Sequence, residues 1–281
     1  LPQREIKFEG LDIAAVYRPC RQLGGDAYNI VGLAADMVAF VMADISGHSV
    51  SSSLLMTAAH SVTGLLLSEA GSAPSAITTR LNDFFQEDLD RAGAFFSIFI
   101  AFLDRQNLTL TYANAGHNPP LLWRARSQRA EWLRPTGPLV GPMEGVAYDQ
   151  VSLQLEEADT LVMYTDGLTE ARNQLLKPFG VQRLQEITSM WTPSGAASVV
   201  NELVKAVRQH AAAEFEDDVT ILAVRVADAL LDAGVVLLQV GKQIDDGRAL
   251  ALHLGLALRE PLQRGGDPDG DGHAASSDSY R

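Results

Sequence analysis

"TLVMYTDGLTEA", residues 160 to 171, runs from a short apolar, β-favouring stretch straight onto an aspartate and a glycine. A carboxylate at the mouth of a buried strand is costly to place unless something positive meets it. Two readings of Asp166 follow. Asp-Gly is ordinary turn chemistry and simply ends the strand, or the carboxylate is held there for a ligand. Taken alone, the stretch favours the turn.

Working outward, the chain before it reads as strands at Leu11 to Tyr17, Ala27 to Leu33 and Met37 to Ile45, each short, apolar and bounded by Gly, Pro or Asp. Helical spacing then takes over in Leu54 to Leu67 and Ile77 to Leu89, predicting a helix pair. Phe95 to Gly116 reads as a hairpin around the polar turn Asp104 to Asn107, and "PLLWRA", "VSLQLE" and "TLVMYT" continue the strands. Gln182 to Met190 and Ala196 to Ala212 form a second helix pair, and Val219 to Val226 a last strand. Hairpin-built sheets with inserted helix pairs predict an α+β fold, an α-β-β-α sandwich of two antiparallel sheets flanked by helices, rather than a βαβ nucleotide fold. This domain is expected to span 1–226, with 227–281 as an extension, compatible with helix to Leu258 and then disordered. "DPDGDG" (Asp267 to Gly272) lacks the later bidentate Glu of a calcium loop and reads as solvated tail.

The 281 residues are 47% hydrophobic and 20% charged, which is globular composition. Lys and Arg number 22 against 35 Asp and Glu, a net charge of -13, which argues against a nucleic-acid partner. Cys20 is the one cysteine, so neither an internal disulfide nor a cysteine zinc cluster can form, and a reducing, cytoplasmic setting is expected. Acidic residues such as Asp36 and Asp44 interrupt every candidate membrane span. The start at Leu1, with neither initiator Met nor signal-peptide pattern, suggests a piece of a longer protein.

The opening stretch has company. "QLGGDAYN" places Asp26 after a glycine pair, "VMADISGHS" ends a strand on Asp44, and "EFEDDVTI" puts Asp217 and Asp218 before a strand. Each is a strand-edge carboxylate. Magnesium and manganese take oxygen ligands, few of them from protein, so aspartates converging from several strand ends suit a binuclear site.

In order, "LGGDAYN", "ADISGHS", "ANAGHNPP", "YTDGLTEARN" and "EDDVTILAV" resemble the bacterial PPM-family serine/threonine phosphatase domain of the SpoIIE and RsbU class, over about Leu1 to Val226. The resemblance implies the same sandwich and two divalent cations, Mn2+ or Mg2+. By motif, Asp26, Asp44, the Ile45 carbonyl, Asp166 and Asp217 would ligate them, with Asp218 either a further ligand or a cap on the turn into the last strand. It implies hydrolysis of phosphoserine or phosphothreonine by a metal-bridging hydroxide, with no covalent phosphoenzyme; Cys20 reads as a packing residue near the site.

His48 and His117 are candidates for contacting substrate or protonating the leaving alkoxide. Each also has a structural reading, His48 orienting a loop and His117 bonding backbone in a turn. Arg18 and Arg21 flank the first motif and are candidate fork donors to phosphate. The chain departs from the family pattern at Ala27, at Asn29 where a second Asp is common, and at Ser49 in place of a glycine. None of these removes an expected ligand. Asn29 removes a nearby negative charge, and Ser49 is a candidate N-cap for the following helix.

The resemblance further implies a phosphorylated STAS-type anti-sigma-factor antagonist as substrate; the start at Leu1 motivates the expectation of a sensor domain upstream, and a homodimer is left open. Two other functions stay open: a catalytically weak or inactive PPM-fold adaptor, and a metal-dependent phosphoesterase acting on small molecules. The helix pair directly after Asp44 is placed to let an upstream sensor assemble or loosen the site.

Overall fold

The computed structural model describes residues 8–20, 24–34, 36–47, 50–69, 71–212, 215–227 and 235–237, and these lie in one compact unit. One sheet is built from β2 (Asp26–Gly32), β3 (Met37–Ile45), β4 (Phe96–Asp104), β5 (Thr109–Ala115) and β8 (Val151–Gln154), all antiparallel in that order. The other contains β1 (Leu11–Arg18), β10 (Val219–Val226), β9 (Thr160–Tyr164), β6 (Leu121–Arg124) and β7 (Arg129–Trp132), again antiparallel. Val235–Leu237 adds β11 as a parallel strand on β1, in a stretch whose sequence is also compatible with helix.

Strand alternation sorts the side chains into three apolar layers. Val38, Phe40 and Met42 of β3 meet Leu11 and Ile13 of β1 and Leu161 and Met163 of β9 between the sheets. The alternate residues Ala39, Val41 and Ala43 face α1 (Val50–Leu67) and α2 (Pro74–Ala92). In α2, Ile77, Leu81, Phe85 and Leu89 recur every four residues and supply the buried stripe. On the other outside face, Ala14 and Val16 of β1 pack on α4 (Val181–Trp191) and α5 (Ala196–His210), where Val199, Val200, Leu203 and Val207 are buried. The architecture is the α-β-β-α sandwich that the strand and helix order predicts.

Two local elements differ from the sequence reading. β7, "RAEW", alternates exposed and half-buried residues at a sheet edge and carries no apolar run to announce it. Asp166 does not sit in a turn: it opens a short helix, α3 (Asp166–Glu170).

Candidate metal centre at one end of the sandwich

The between-sheet core is apolar along its length and turns polar at one end. Asp44 continues the face carrying Phe40 and Met42, and Asp26 and Ser97 are its register partners on β2 and β4. Paired residues in an antiparallel ladder point to the same face, so Asp26, Asp44 and Ser97 form a row directed at the opposite sheet. Tyr17 and Thr220, themselves paired, and Thr165 at the end of β9 occupy the facing row.

The two rows are joined at Asp26. Its Oδ2 accepts from Thr165 Oγ1 at 2.7 Å and from Thr220 Oγ1 at 2.5 Å, while Thr220 N donates to Thr165 Oγ1 at 3.0 Å. Thr165 stands at the N-cap of α3 yet makes no side-chain cap bond, because its hydroxyl serves Asp26 instead. Next to it Gly167 packs so closely on β10 that a Cβ there would lie 2.1 Å from the Asp218 carbonyl oxygen. A side chain at this position would push the Asp166 and Asp217 segments apart.

Asp217 and Asp218 divide their work. Asp218 is buried, and its Oδ1 accepts from Cys20 N at 2.7 Å and its Oδ2 from Gly25 N at 2.6 Å. It therefore holds Cys20 and Gly25, between β1 and β2, through their backbone donors rather than capping its own turn. Asp217 is half-buried and accepts from Asp218 N at 2.7 Å. Carboxylate oxygens of both, with the Cys20 Sγ, lie within 4.8 Å of one another. The Ile45 carbonyl borders the same space: it would be 3.3 Å from a Cβ on Gly25, whose own carbonyl accepts from Ile45 N.

The concentration of negative charge shifts these groups. Burial first, and then the charges of Asp166, Asp217 and Asp218, push Asp44 up to about 8. Burial, with Asp44 second, holds Asp26 well above the usual carboxylate range although two threonine hydroxyls pull the other way. Burial and the charges of Asp218, Asp26 and Cys20 also raise the Tyr17 phenol above its ordinary value. Among the described residues, neither Asp26 nor Asp44 forms an ion pair with Lys or Arg. Clustered carboxylates that repel one another form a hard oxygen donor set, and that set fits divalent cations such as Mn2+ or Mg2+.

A model for the family described as "Stage II sporulation protein E (SpoIIE)" matches residues 34–227. The chain belongs to the SpoIIE family. This SpoIIE-family chain is 27% identical over 220 residues to the phosphoserine phosphatase RsbU of Bacillus subtilis, covering 77% of this chain and 64% of RsbU. It is likewise 27% identical over 242 residues to the protein IcfG of Synechocystis, covering 75% of this chain and 37% of IcfG. The chain thus spans less than two thirds of the length of either relative. Among solved structures, the RsbU and RsbW domains of Rv1364c from Mycobacterium tuberculosis superpose with a TM-score of 0.66 at 26% identity, covering 78% of this chain and 62% of that one.

The remaining candidates fare differently. Arg21, His48 and Ser49 lie outside the described residues. Arg18 shares the face of Ala14 and Val16, toward α5, where it is buried and close enough to Arg208 to be affected by its charge. The structure does not bring Arg18 into the acidic row. His117 is buried, with 2% exposure. Burial pushes its imidazole down to about 4, with the Tyr164 carbonyl offsetting part of that effect. Tyr17, Ser97, Thr165 and Thr220 escaped the sequence reading. Thr165 and Thr220 were within reach of it, since each lies beside an acidic motif and matches Leu161 and Met163, or Leu222 and Val224, in strand parity.

Proposed function

We propose that this SpoIIE-family domain is a metal-dependent protein serine/threonine phosphatase, acting on phosphoserine or phosphothreonine of a STAS-type anti-sigma-factor antagonist in the cytoplasm. One observation carries the reading: Asp26, Asp44, Asp166 and Asp217 converge from both sheets on one end of the sandwich, close enough that their charges act on one another. Similarity to a named phosphoserine phosphatase supports it. Among the described residues no helix is long and apolar enough to cross a membrane.

Asp26, Asp44, Asp166, Asp217 and the Ile45 carbonyl would hold two divalent cations, with Asp218 fixing Gly25, the residue just before Asp26. Bound cations supply Lewis acidity, making water more acidic and offsetting phosphoryl charge. The protein's part is positional. Thr165 and Thr220 occupy one oxygen of Asp26 and leave Oδ1 directed elsewhere, while Gly167 lets the Asp166 and Asp217 segments approach. Asp26 and Asp44, both held above the usual carboxylate range, would have to be deprotonated to act as ligands.

The test is calorimetric titration of the protein with Mn2+, in parallel with turnover of a phosphoserine-bearing STAS protein, on wild type and Asp166→Asn. Binding and Mn2+-dependent turnover, both lost in the variant, are the expected result. Binding without turnover would indicate an adaptor, and turnover of a small aryl phosphate without the phosphoprotein would reassign the substrate.

A further inference from the structure

The turn after β5 is built to bury a histidine. Asn114, itself buried, accepts from His117 N through Oδ1 at 2.8 Å and donates through Nδ2 to the Leu133 carbonyl at 3.3 Å. Thr136 closes the same turn, with its backbone N donating to the Asn114 carbonyl at 2.8 Å. Between them Gly116 adopts φ +64, a conformation that disfavours other residues, and a Cβ there would lie 2.8 Å from Leu139. So specific a turn for a residue that reaches no solvent calls for a reason inside the protein.

The imidazole spans the two sheets. Nδ1 bonds Ser97 Oγ at 2.7 Å on β4, and Ser97 is the register partner of Asp44. Nε2, also buried, completes no hydrogen bond, and the Tyr164 backbone on β9 lies near enough to the ring to influence it. Tyr164 lies two residues before Asp166. One rigid ring therefore reaches from the neighbour of one expected ligand to the strand end that delivers another, on opposite sheets. A neutral ring also adds no positive charge that would compete with a cation for these acids.

We propose that His117 is a positioning residue for the metal centre, a brace between Ser97 and Tyr164 that sets the separation of Asp44 and Asp166. It rests on the metal-dependent reading above and extends it to a residue that touches neither cation nor substrate. Groups that hold metal ligands in place alter affinity by about 10–100-fold when removed.

The test is Mn2+ calorimetry on the 281-residue chain, comparing wild type with Ser97→Ala, His117→Phe, His117→Asn and the Ser97→Ala/His117→Phe double variant. Thermal unfolding in EDTA reports folding separately. His117→Phe keeps the ring bulk and loses both polar ends, and His117→Asn keeps an amide near the Nδ1 position. The expected result is Mn2+ binding about 10–100-fold weaker in Ser97→Ala and His117→Phe, partial recovery in His117→Asn, and a double variant no weaker than His117→Phe alone. Activity at saturating Mn2+ should fall less than affinity does. Folded variants that bind Mn2+ as wild type does would overturn the brace while leaving the phosphatase reading intact. A wild type that binds no Mn2+ would overturn both. Should His117→Phe fail to fold, Ser97→Ala and His117→Asn decide the matter by the same criterion.

Discussion

Asp26 and Asp44 are direct register partners across the β2–β3 ladder, two carboxylates on one face at the end of a buried core. Like charges placed opposite each other destabilise a sheet, and here burial adds to the cost. The arrangement makes sense for a protein that meets a cation and is a burden to one that does not. Asp44→Asn should therefore raise the melting temperature of the protein in EDTA at pH 8 and abolish the stabilisation that Mn2+ gives. Turnover should drop by at least about 100-fold, the upper end of what loss of a supporting group costs. Differential scanning fluorimetry with and without Mn2+ reads both effects, and a variant less stable than wild type in EDTA would show that Asp44 has a purely structural role.

The same charges predict a pH dependence. Burial and the neighbouring carboxylates push Asp44 up to about 8 in the folded protein, against roughly 4 in an unfolded chain. Between those values the folded state holds a proton that the unfolded state has released, so this group's contribution to stability is present below about pH 4 and is lost as pH rises toward 8. A bound cation would take the place of that proton. The rise in melting temperature on adding Mn2+ should thus be larger at pH 8 than at pH 5.5. At pH 7 the apparent binding enthalpy should change with the ionisation enthalpy of the buffer, reporting proton release. A binding enthalpy identical in phosphate and Tris would show that the acids are already ionised.

Thr165 and Thr220 separate two kinds of contribution. Both donate to Asp26 Oδ2, but Thr165 Oγ1 also accepts the Thr220 backbone N–H. Thr220→Val removes one donor to the carboxylate and should weaken Mn2+ binding about 10-fold with little loss of stability. Thr165→Val leaves a buried N–H without its acceptor, a cost of about 1–3 kcal/mol, and should lower the melting temperature as well. Calorimetry and thermal unfolding of the two variants side by side distinguish these outcomes; equal losses of stability would contradict the assigned bonds.

Much of this was legible in the chain because its signals are local. The alternation of Val38, Phe40 and Met42 with Ala39, Val41 and Ala43 marks a strand buried on both faces, and the four-residue recurrence of Ile77, Leu81, Phe85 and Leu89 marks a helix. Asp26, Asp44, Asp166 and Asp217 each lie in a short motif at a strand end. What failed lacked either period or locality. β7 is four residues of edge strand, and α3 is five residues whose N-cap hydroxyl is turned to another element. Arg18 looked like a site residue by proximity to Asp26, yet strand parity gives that face to Tyr17 and sends Arg18 toward α5. The role of His117 depends on Ser97 and Tyr164, which approach it only through pairing across and between sheets, and no short motif encodes that.

The close approach of α3 to β10 yields the last prediction. A methyl on Gly167 would overlap the Asp218 backbone, 2.1 Å from its carbonyl oxygen and 2.9 Å from its carbonyl carbon. Backbone cannot rotate aside as a side chain does, so α3 or β10 must shift. Overpacking of this kind costs about 1–3 kcal/mol, which for a domain of this size lowers the melting temperature by roughly 2–4 °C per kcal/mol. The shift would also separate Asp166 from Asp217, so Gly167→Ala should lose Mn2+ affinity out of proportion to its stability. Comparing it with Thr165→Val is informative, because that variant disturbs the same strand end without inserting bulk. If Gly167→Ala melts lower yet binds Mn2+ as wild type does, the Asp166 to Asp217 spacing does not govern cation affinity, and the centre tolerates a looser junction than its geometry indicates.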